Sequence, residues 1–494
     1  MTHDVIDLGS RREVFWDDYL VEPELTTAFP RLIQPVLKGA DFWFDHELDI
    51  RCISYPLLLK AEDGYRMYYV GWQKGGISRL LVLTSPDGKT WTRPNLGIHS
   101  YNGSTDNNIV MDVEDFRDNM FIFRDTNPAC PKGEQYTAVC RGTAEDSDGV
   151  RREGLWCLVS EDGYRFRRSH LMTVIGVFDT MNTALWDGTR YVCYIRNYHN
   201  IPPERISGGM DTNGVWDLNE RKIPTEDMNK GIRDIRVMYS DDFKNWTEPK
   251  LLQFRDGEDI PLYTNVISQY DRAPHIRVGF PSRYCERPGW SPNFEQLSGV
   301  ENRREAVFNT SRPREGLAIT DCIFMWSRDG ENWDRSLEAF MTPGYEHEHN
   351  WVYGDCYPSY GFLDTGDETL SMYTIDYHRS YDAVSPMNRY EIRKDGFACY
   401  MAGGKEEVLV TKPLTFTGSC LHLNFASSAF GYIYVEVLDT DGTPISGKSF
   451  EIFGDTIDRQ ITFDDGTDFS RFAGKPVRLR FTMRDAKLFS LWFT

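Results

Sequence analysis

The sequence predicts an all-β fold, a five-bladed β-propeller followed by a C-terminal β-sandwich. Three observations predict it: one turn motif recurs five times, a hairpin precedes it in the repeats, and the pattern changes after about residue 404.

The turn motif comes first. Ser85-Pro86-Asp87-Gly88-Lys89-Thr90-Trp91, Ser160-Glu161-Asp162-Gly163-Tyr164-Arg165-Phe166, Ser240-Asp241-Asp242-Phe243-Lys244-Asn245-Trp246 and Ser327-Arg328-Asp329-Gly330-Glu331-Asn332-Trp333 each follow an apolar run. Arg393-Lys394-Asp395-Gly396-Phe397 is a degenerate fifth copy. The closing aromatics recur every 64 to 87 residues or so, the slow period of one supersecondary unit per repeat. Asp-Gly supplies the left-handed geometry of a tight turn, and the polar residue before it can bond back to the turn amides. The motif reads as structural, a blade's third strand turning into its fourth.

The earlier hairpins complete a four-strand unit. Leu57 to Lys60 and Tyr65 to Val70 flank Glu62-Asp63-Gly64; Ala184 to Trp186 and Tyr191 to Ile195 flank Asp187-Gly188; Tyr360 to Leu363 and Leu370 to Thr374 flank Asp364 to Thr369. The strand-like Glu13 to Trp16 and Tyr19 to Val21 are expected to close the ring on the last blade. Two insertions, 200–230 and 283–315, read as functional rims or contacts of a homo-oligomer. The propeller is expected over 1–404 and the sandwich over 405–494, where Leu421 to Phe425, Tyr432 to Val437 and Val477 to Phe481 alternate as half-buried strands.

Composition narrows the function. The net charge of -20 disfavours nucleic acid and anionic membranes. Aromatic residues make up 14% of the chain, which suits a carbohydrate binder as well as a β-rich core. The first residues lack a basic segment followed by an apolar one, and no apolar run spans a bilayer, so a cytoplasmic location is expected. The ten cysteines form no Cys-x-x-Cys pair and are expected as buried free thiols, with no zinc and no cofactor.

Innermost strands of a propeller converge on its axis, so carboxylates at their starts are candidates for glycoside chemistry. The five places carry Asp45, Glu47 and Asp49; Arg124-Asp125; Asp179; Glu258 and Asp259; and Asp355, with Glu346 to His349 upstream. His347 and His349 would share one strand face, half of a metal site, and we expect no metal there. Trp43, Trp72, Trp290 and Trp351 are candidate stacking platforms. Arg51, Arg124, Asn182, Tyr263, His349 and Asp355 complete the expected substrate contacts.

The five blades with a trailing sandwich resemble glycoside hydrolase family 32, the invertase and inulinase group, whose propeller is shared by families 43, 68, 117 and 130. Arg124-Asp125-Thr126 resembles that family's Arg-Asp-Pro motif without its proline, which implies Asp125 as stabiliser of the transition state. Asp179-Thr180 stands where the family has Glu-Cys, which implies Asp179 as the acid. Asp49 would substitute for the absent nucleophile motif, as base or nucleophile. Val14 to Val21, Arg93 to Gly97, Gly103 to Val110 and Gly474 to Phe481 look like a bacterial family-32-like group across nearly the whole chain. The resemblance implies a glycosidase acting on a furanoside or other small glycan end. Its alternatives are a glycoside phosphorylase using Arg51, Arg196 or Arg283 for phosphate, and a non-catalytic sugar-binding propeller.

Overall fold

The computed structural model describes residues 5–49, 52–72, 78–112, 116, 119–199, 231–287, 289–308, 314–377 and 383–494. The protein is all-β. Its strands form successive antiparallel sheets, each built from a contiguous stretch of chain except where noted below.

The first sheet runs Cys52–Ala61, Gly64–Trp72, Ser78–Ser85 and Ile109–Asp112 in order. The second runs Phe121–Arg124, Tyr136–Glu145, Arg151–Ser160 and Arg167–Thr173. The third runs Thr183–Trp186, Tyr191–His199, Ile232–Ser240 and Lys250–Leu251. The fourth holds Ser268–Gln269, Arg277–Gly279, Met325–Ser327 and Asn332–Arg335, with Gln253–Phe254 parallel on its edge. The fifth joins Thr369–Ile375 and Ser385–Arg393, with Pro358 and Leu363 bridged to the former. Apolar side chains pack sheet on sheet. One core joins the first three sheets, one the third and fourth, one the fourth and fifth, and one the fifth and first. A pleated strand with both faces covered explains why runs such as Leu80 to Leu83 are apolar throughout rather than alternating.

The recurring turns bond as their chemistry dictates. The Asp87 carboxylate accepts the amides of Lys89 and Thr90 at 2.8 and 2.7 Å, and Ser85 Oγ accepts that of Gly88 at 2.8 Å. Asp162, Asp242 and Asp329 repeat the pair of bonds. The left-handed position is held by Gly88, Gly163 and Gly330, and by Phe243 at φ 62° in the third copy. The fifth copy differs. Asp395 itself takes φ 62°, and its buried carboxylate turns inward to Tyr270, Arg272, Arg12, Ser490 and Asn424.

Two expectations about closure are corrected. The strand that completes the fifth sheet is Val36–Phe44, paired with Ser385–Arg393, not Glu13 to Val21. Glu13–Val14 instead pairs with Arg478–Phe493. The strand after the fifth turn, Ala398–Ala402, also pairs with Arg478–Phe493, along with Phe29–Leu32, so this turn feeds the C-terminal sheet. That sheet is organised by two long strands, Leu421–Leu438 and Arg478–Phe493, whose inward faces form a separate apolar core.

Insertion 200–230 lies outside the described residues. Insertion 283–315 is not a plain loop: Ser282–Glu286 pairs with Ala318–Cys322, and Val300–Phe308 is a helix rich in the helix formers Glu, Arg and Ala. Among the described residues no helix is long and apolar enough to cross a membrane. The described cysteines are free, six of them buried.

Candidate functional site

The starting ends of the inner strands share an unusual backbone. Tyr55, Asn119, Val266 and Cys356 all have positive φ, at 52°, 79°, 45° and 54°. Asn119 and Val266 precede the strands Phe121–Arg124 and Ser268–Gln269, Cys356 precedes the bridged Pro358, and Tyr55 lies inside Cys52–Ala61; left-handed non-glycine backbone is costly and gathers at functional sites. Near Tyr55 this is a bulge, seen as a register shift between Ser54 and Leu57.

A tyrosine cluster fills the region between these ends. Tyr263, Tyr284, Tyr353 and Tyr357 are buried together, with Tyr55 against them. Tyr263 stacks on Tyr357 at 5.7 Å, and its hydroxyl lies 3.4 Å from that of Tyr55. Burial raises the Tyr55 and Tyr263 phenols above their ordinary range, so both are neutral hydrogen-bonding groups. Two buried arginines border the cluster. Arg196 lies 4.9 Å from the Tyr263 ring and 4.8 Å from Tyr198; Arg233 lies 3.7 Å from Tyr284 and 5.9 Å from Tyr263.

Asp179 reaches this region. It precedes the strand Thr183–Trp186, its side chain is 41% exposed, and it forms an ion pair with Arg196. Asn182 holds its turn, donating to the Phe178 and Thr180 carbonyls and accepting the Arg196 amide. That uses the whole Asn182 side chain, which is buried, so it positions Asp179 rather than facing a ligand.

Asp355 lies beside the same cluster, between Tyr353 and Tyr357 in sequence. Its carboxylate accepts the Val352 amide at 2.8 Å. Burial pushes its pKa well above the ordinary carboxylate range, opposed by that amide and reinforced by Asp376. Asp376 is raised by burial too, while the Asn388 amide donates to it at 2.6 Å. Burial thus disfavours the charged form of Asp355.

The other expected residues lie elsewhere. Asp125 follows its strand, Phe121–Arg124, and accepts the Tyr191 hydroxyl at 2.7 Å and the Asn127 amide at 2.9 Å. Tyr191 and Arg196 are five positions apart on one strand, roughly 17 Å at the usual rise. Arg124 beside Asp125 pairs with exposed Glu62. Asp49 has a fully buried side chain, fixed by Arg93 at 2.5 Å and by the Tyr69 hydroxyl at 2.8 Å. Asp45 shares Arg93 at 3.2 Å from the surface. Trp43 stands half-exposed on the outer strand of the fifth sheet, and Trp72 packs at the end of its strand in the first.

Trp351 donates its indole N–H to Gly344 and packs on Phe294 and Leu297, with Trp290 stacked on Phe294 at 5.2 Å. His349 lies 4.7 Å from the Tyr377 ring, near His347 at the surface. No group of three metal-binding side chains occurs among the described residues. Arg51 lies outside the described residues. Arg283 is engaged bidentately by Asp321, at 2.8 and 2.6 Å.

The sequence reading missed a second feature of this region. His199 lies between Asp234 at 3.1 Å and Asp259 at 2.9 Å, and its pKa is raised, first by the Asp234 hydrogen bond. Arg236 holds Asp234 from the other side. The signal available was the alternation of Arg233, Asp234 and Arg236 in an otherwise apolar strand.

No family model matches the chain, and no curated protein matches it. Solved structures do. An N-acetylgalactosamine deacetylase from F. plautii, in complex with blood group B trisaccharide, is 12% identical over 74% of this chain and 96% of its own, with a TM-score of 0.44. The GH93 α-L-arabinofuranosidase of Fusarium graminearum with arabinobiose is 9% identical over 72% and 98%, with a TM-score of 0.38. A GH32 β-fructofuranosidase of Bombyx mori is 9% identical over 99% and 94%, also at 0.38. The functional reading below rests on this chain's own geometry.

Proposed function

We propose that the chain is a glycoside-cleaving enzyme, a five-bladed propeller over 1–404 with a sandwich over 405–494, acting on the end of a furanoside or small oligosaccharide. The supporting observation is a pair of carboxyl groups in contrasting surroundings beside one tyrosine cluster. Asp179 is half-exposed and paired with Arg196, whereas Asp355 is buried and burial raises its pKa. Glycosidases need one carboxyl that gives a proton and one that stays charged. In this reading Asp355 protonates the leaving oxygen, and Asp179 serves as base or nucleophile, a role the resemblance had implied for Asp49. The tyrosine hydroxyls supply neutral hydrogen bonds to the sugar. Asp49 and Asp125 keep their strands in place.

A panel of aryl furanosides and pyranosides, assayed with and without phosphate, tests the reading. On any substrate turned over, Asp179→Asn and Asp355→Asn should each lower kcat by about 10²–10⁴-fold, the worth of general acid–base catalysis. Wild-type turnover in both would overturn it.

A further inference from the structure

Of the two buried arginines beside the tyrosine cluster, Arg196 is paired with Asp179, whereas Arg233 has no carboxylate partner among the described residues. Arg196 and Arg233 are 2% and 3% exposed. Arg196 spends one amino group on Asp179 and another on the Tyr198 hydroxyl at 2.5 Å, which leaves its Nε without a hydrogen-bond partner. Arg233 has neither an Nε nor an Nη2 partner. The described carboxylates nearby are committed. Asp234 is bonded to Arg236 and His199, Asp259 to His199, and Asp355 accepts the Val352 amide. Tyrosine faces offer Arg233 partial compensation, at 3.7 Å for Tyr284 and 5.5 Å for Tyr198. A guanidinium out of water without a hydrogen-bonded anion is nonetheless unfavourable. Both guanidiniums flank the ring of Tyr263, so one ligand on that ring can meet both.

We infer that Arg233, with the free Nε of Arg196, forms an oxyanion subsite beside the sugar. The glycan cleaved here carries a carboxylate, as a uronic acid does, or is cleaved with phosphate as the attacking group. Either oxyanion matches the planar donor fork of arginine. In the phosphate case a phosphate oxygen forms the new bond to the anomeric carbon. The glycosidic C–O bond breaks, and the leaving oxygen takes the proton of Asp355. In the uronate case water is the attacking group and the carboxylate only binds. The inference rests on the glycoside-cleaving reading for its location, but binding tests it without turnover.

Calorimetry on the full chain provides the test, with galacturonate and glucuronate, their neutral counterparts galactose and glucose, and inorganic phosphate as probes. One oxyanion class should bind wild type, and a uronate should bind at least about tenfold tighter than its neutral sugar if the carboxylate is the substrate's own. Arg233→Met should weaken that probe by about tenfold or more, and Arg233→Lys by less. If Arg233→Met fails to fold, Arg233→Lys and the comparison of acid with neutral sugar decide. Phosphate-dependent turnover assigns the subsite to the co-substrate; uronate selectivity assigns it to the sugar. Equal binding of uronate and neutral sugar together with no phosphate binding overturns the inference, as does unchanged binding in Arg233→Met. Oxyanion binding without cleavage of any glycoside would remove the enzymatic reading and leave the subsite.

Discussion

Tyr191 and Arg196 lie on one strand and hold two different aspartates, Asp125 at its first residue and Asp179 toward its far end. The residues that hold them, Tyr191 and Arg196, stand roughly 17 Å apart along the strand. Carboxyl pairs that work on one glycosidic bond stand about 5–9.5 Å apart, so the proposed function gives Asp125 no part at the bond that Asp179 serves. The Tyr191 phenol is pushed above its ordinary value by burial and then by the hydrogen bond to Asp125, to which its hydroxyl donates.

On the proposed function, Asp355 should set the alkaline side of activity. Its pKa is raised by burial, so it carries its proton well above the usual carboxylate range and loses it as pH rises. The prediction is a fall of kcat/KM with rising pH, with an apparent pKa above about 4, the ordinary aspartate value. Asp355→Asn should remove this limb together with most of the activity. A pH–rate profile in which the limb survives in Asp355→Asn would assign it to another group.

Asp395 sets acid stability. Its folded pKa, about 2, is depressed: burial opposes the charge, and Arg272, Arg12 and Tyr270 outweigh burial. A depressed carboxyl contributes stability that is present above the unfolded value near 4 and is lost as pH falls toward the folded one. We expect about 2–3 kcal/mol to disappear between roughly pH 4 and 2, read by urea unfolding at each pH. Asp395→Asn should flatten that slope. It should also cost about 3 kcal/mol or more at neutral pH, because Arg272 and Arg12 lose their buried partner.

The repeated turns predict a graded effect. Asp329→Ala removes the acceptor of the Glu331 and Asn332 amides, and should cost about 1 kcal/mol, as loss of a capping carboxylate does. Gly330→Ala should cost more. Gly330 has φ +80°, and an added Cβ would meet the Arg277 guanidinium, which is paired with Asp187 at 2.9 Å. Thermal melts of the two variants give the order; a milder Gly330→Ala would contradict the packing described.

Much of this architecture was legible because its signals are local. Asp-Gly turns encode their own backbone, so Ser85 to Trp91 and the next three copies mark the outer hairpins of four sheets, while the fifth copy leads into the C-terminal sheet. Strand direction was legible where an Asp-Gly hairpin followed the inner strand, as at Gly64 and Gly188, and this places Asp179 before its strand. The second sheet carries no such marker. Its inner strand is only Phe121–Arg124, and Asp125 was assigned to the wrong end of it; the starting end lies at Asn119. Partner choice was not legible either. Glu13–Val14 and Val36–Phe44 both look like strands, and only long-range pairing decides which completes the fifth sheet. The raised pKa of Asp355 and the nitrogens of Arg233 without hydrogen-bond partners are products of burial, which no local pattern records.

The most direct measurement compares kcat of Asp179→Asn and Asp125→Asn on one cleaved glycoside, with melting temperatures as the folding control. The account predicts that Asp179→Asn loses about 10²–10⁴-fold while folded Asp125→Asn stays within a few-fold of wild type. Loss of activity in Asp125→Asn with Asp179→Asn unimpaired would contradict it.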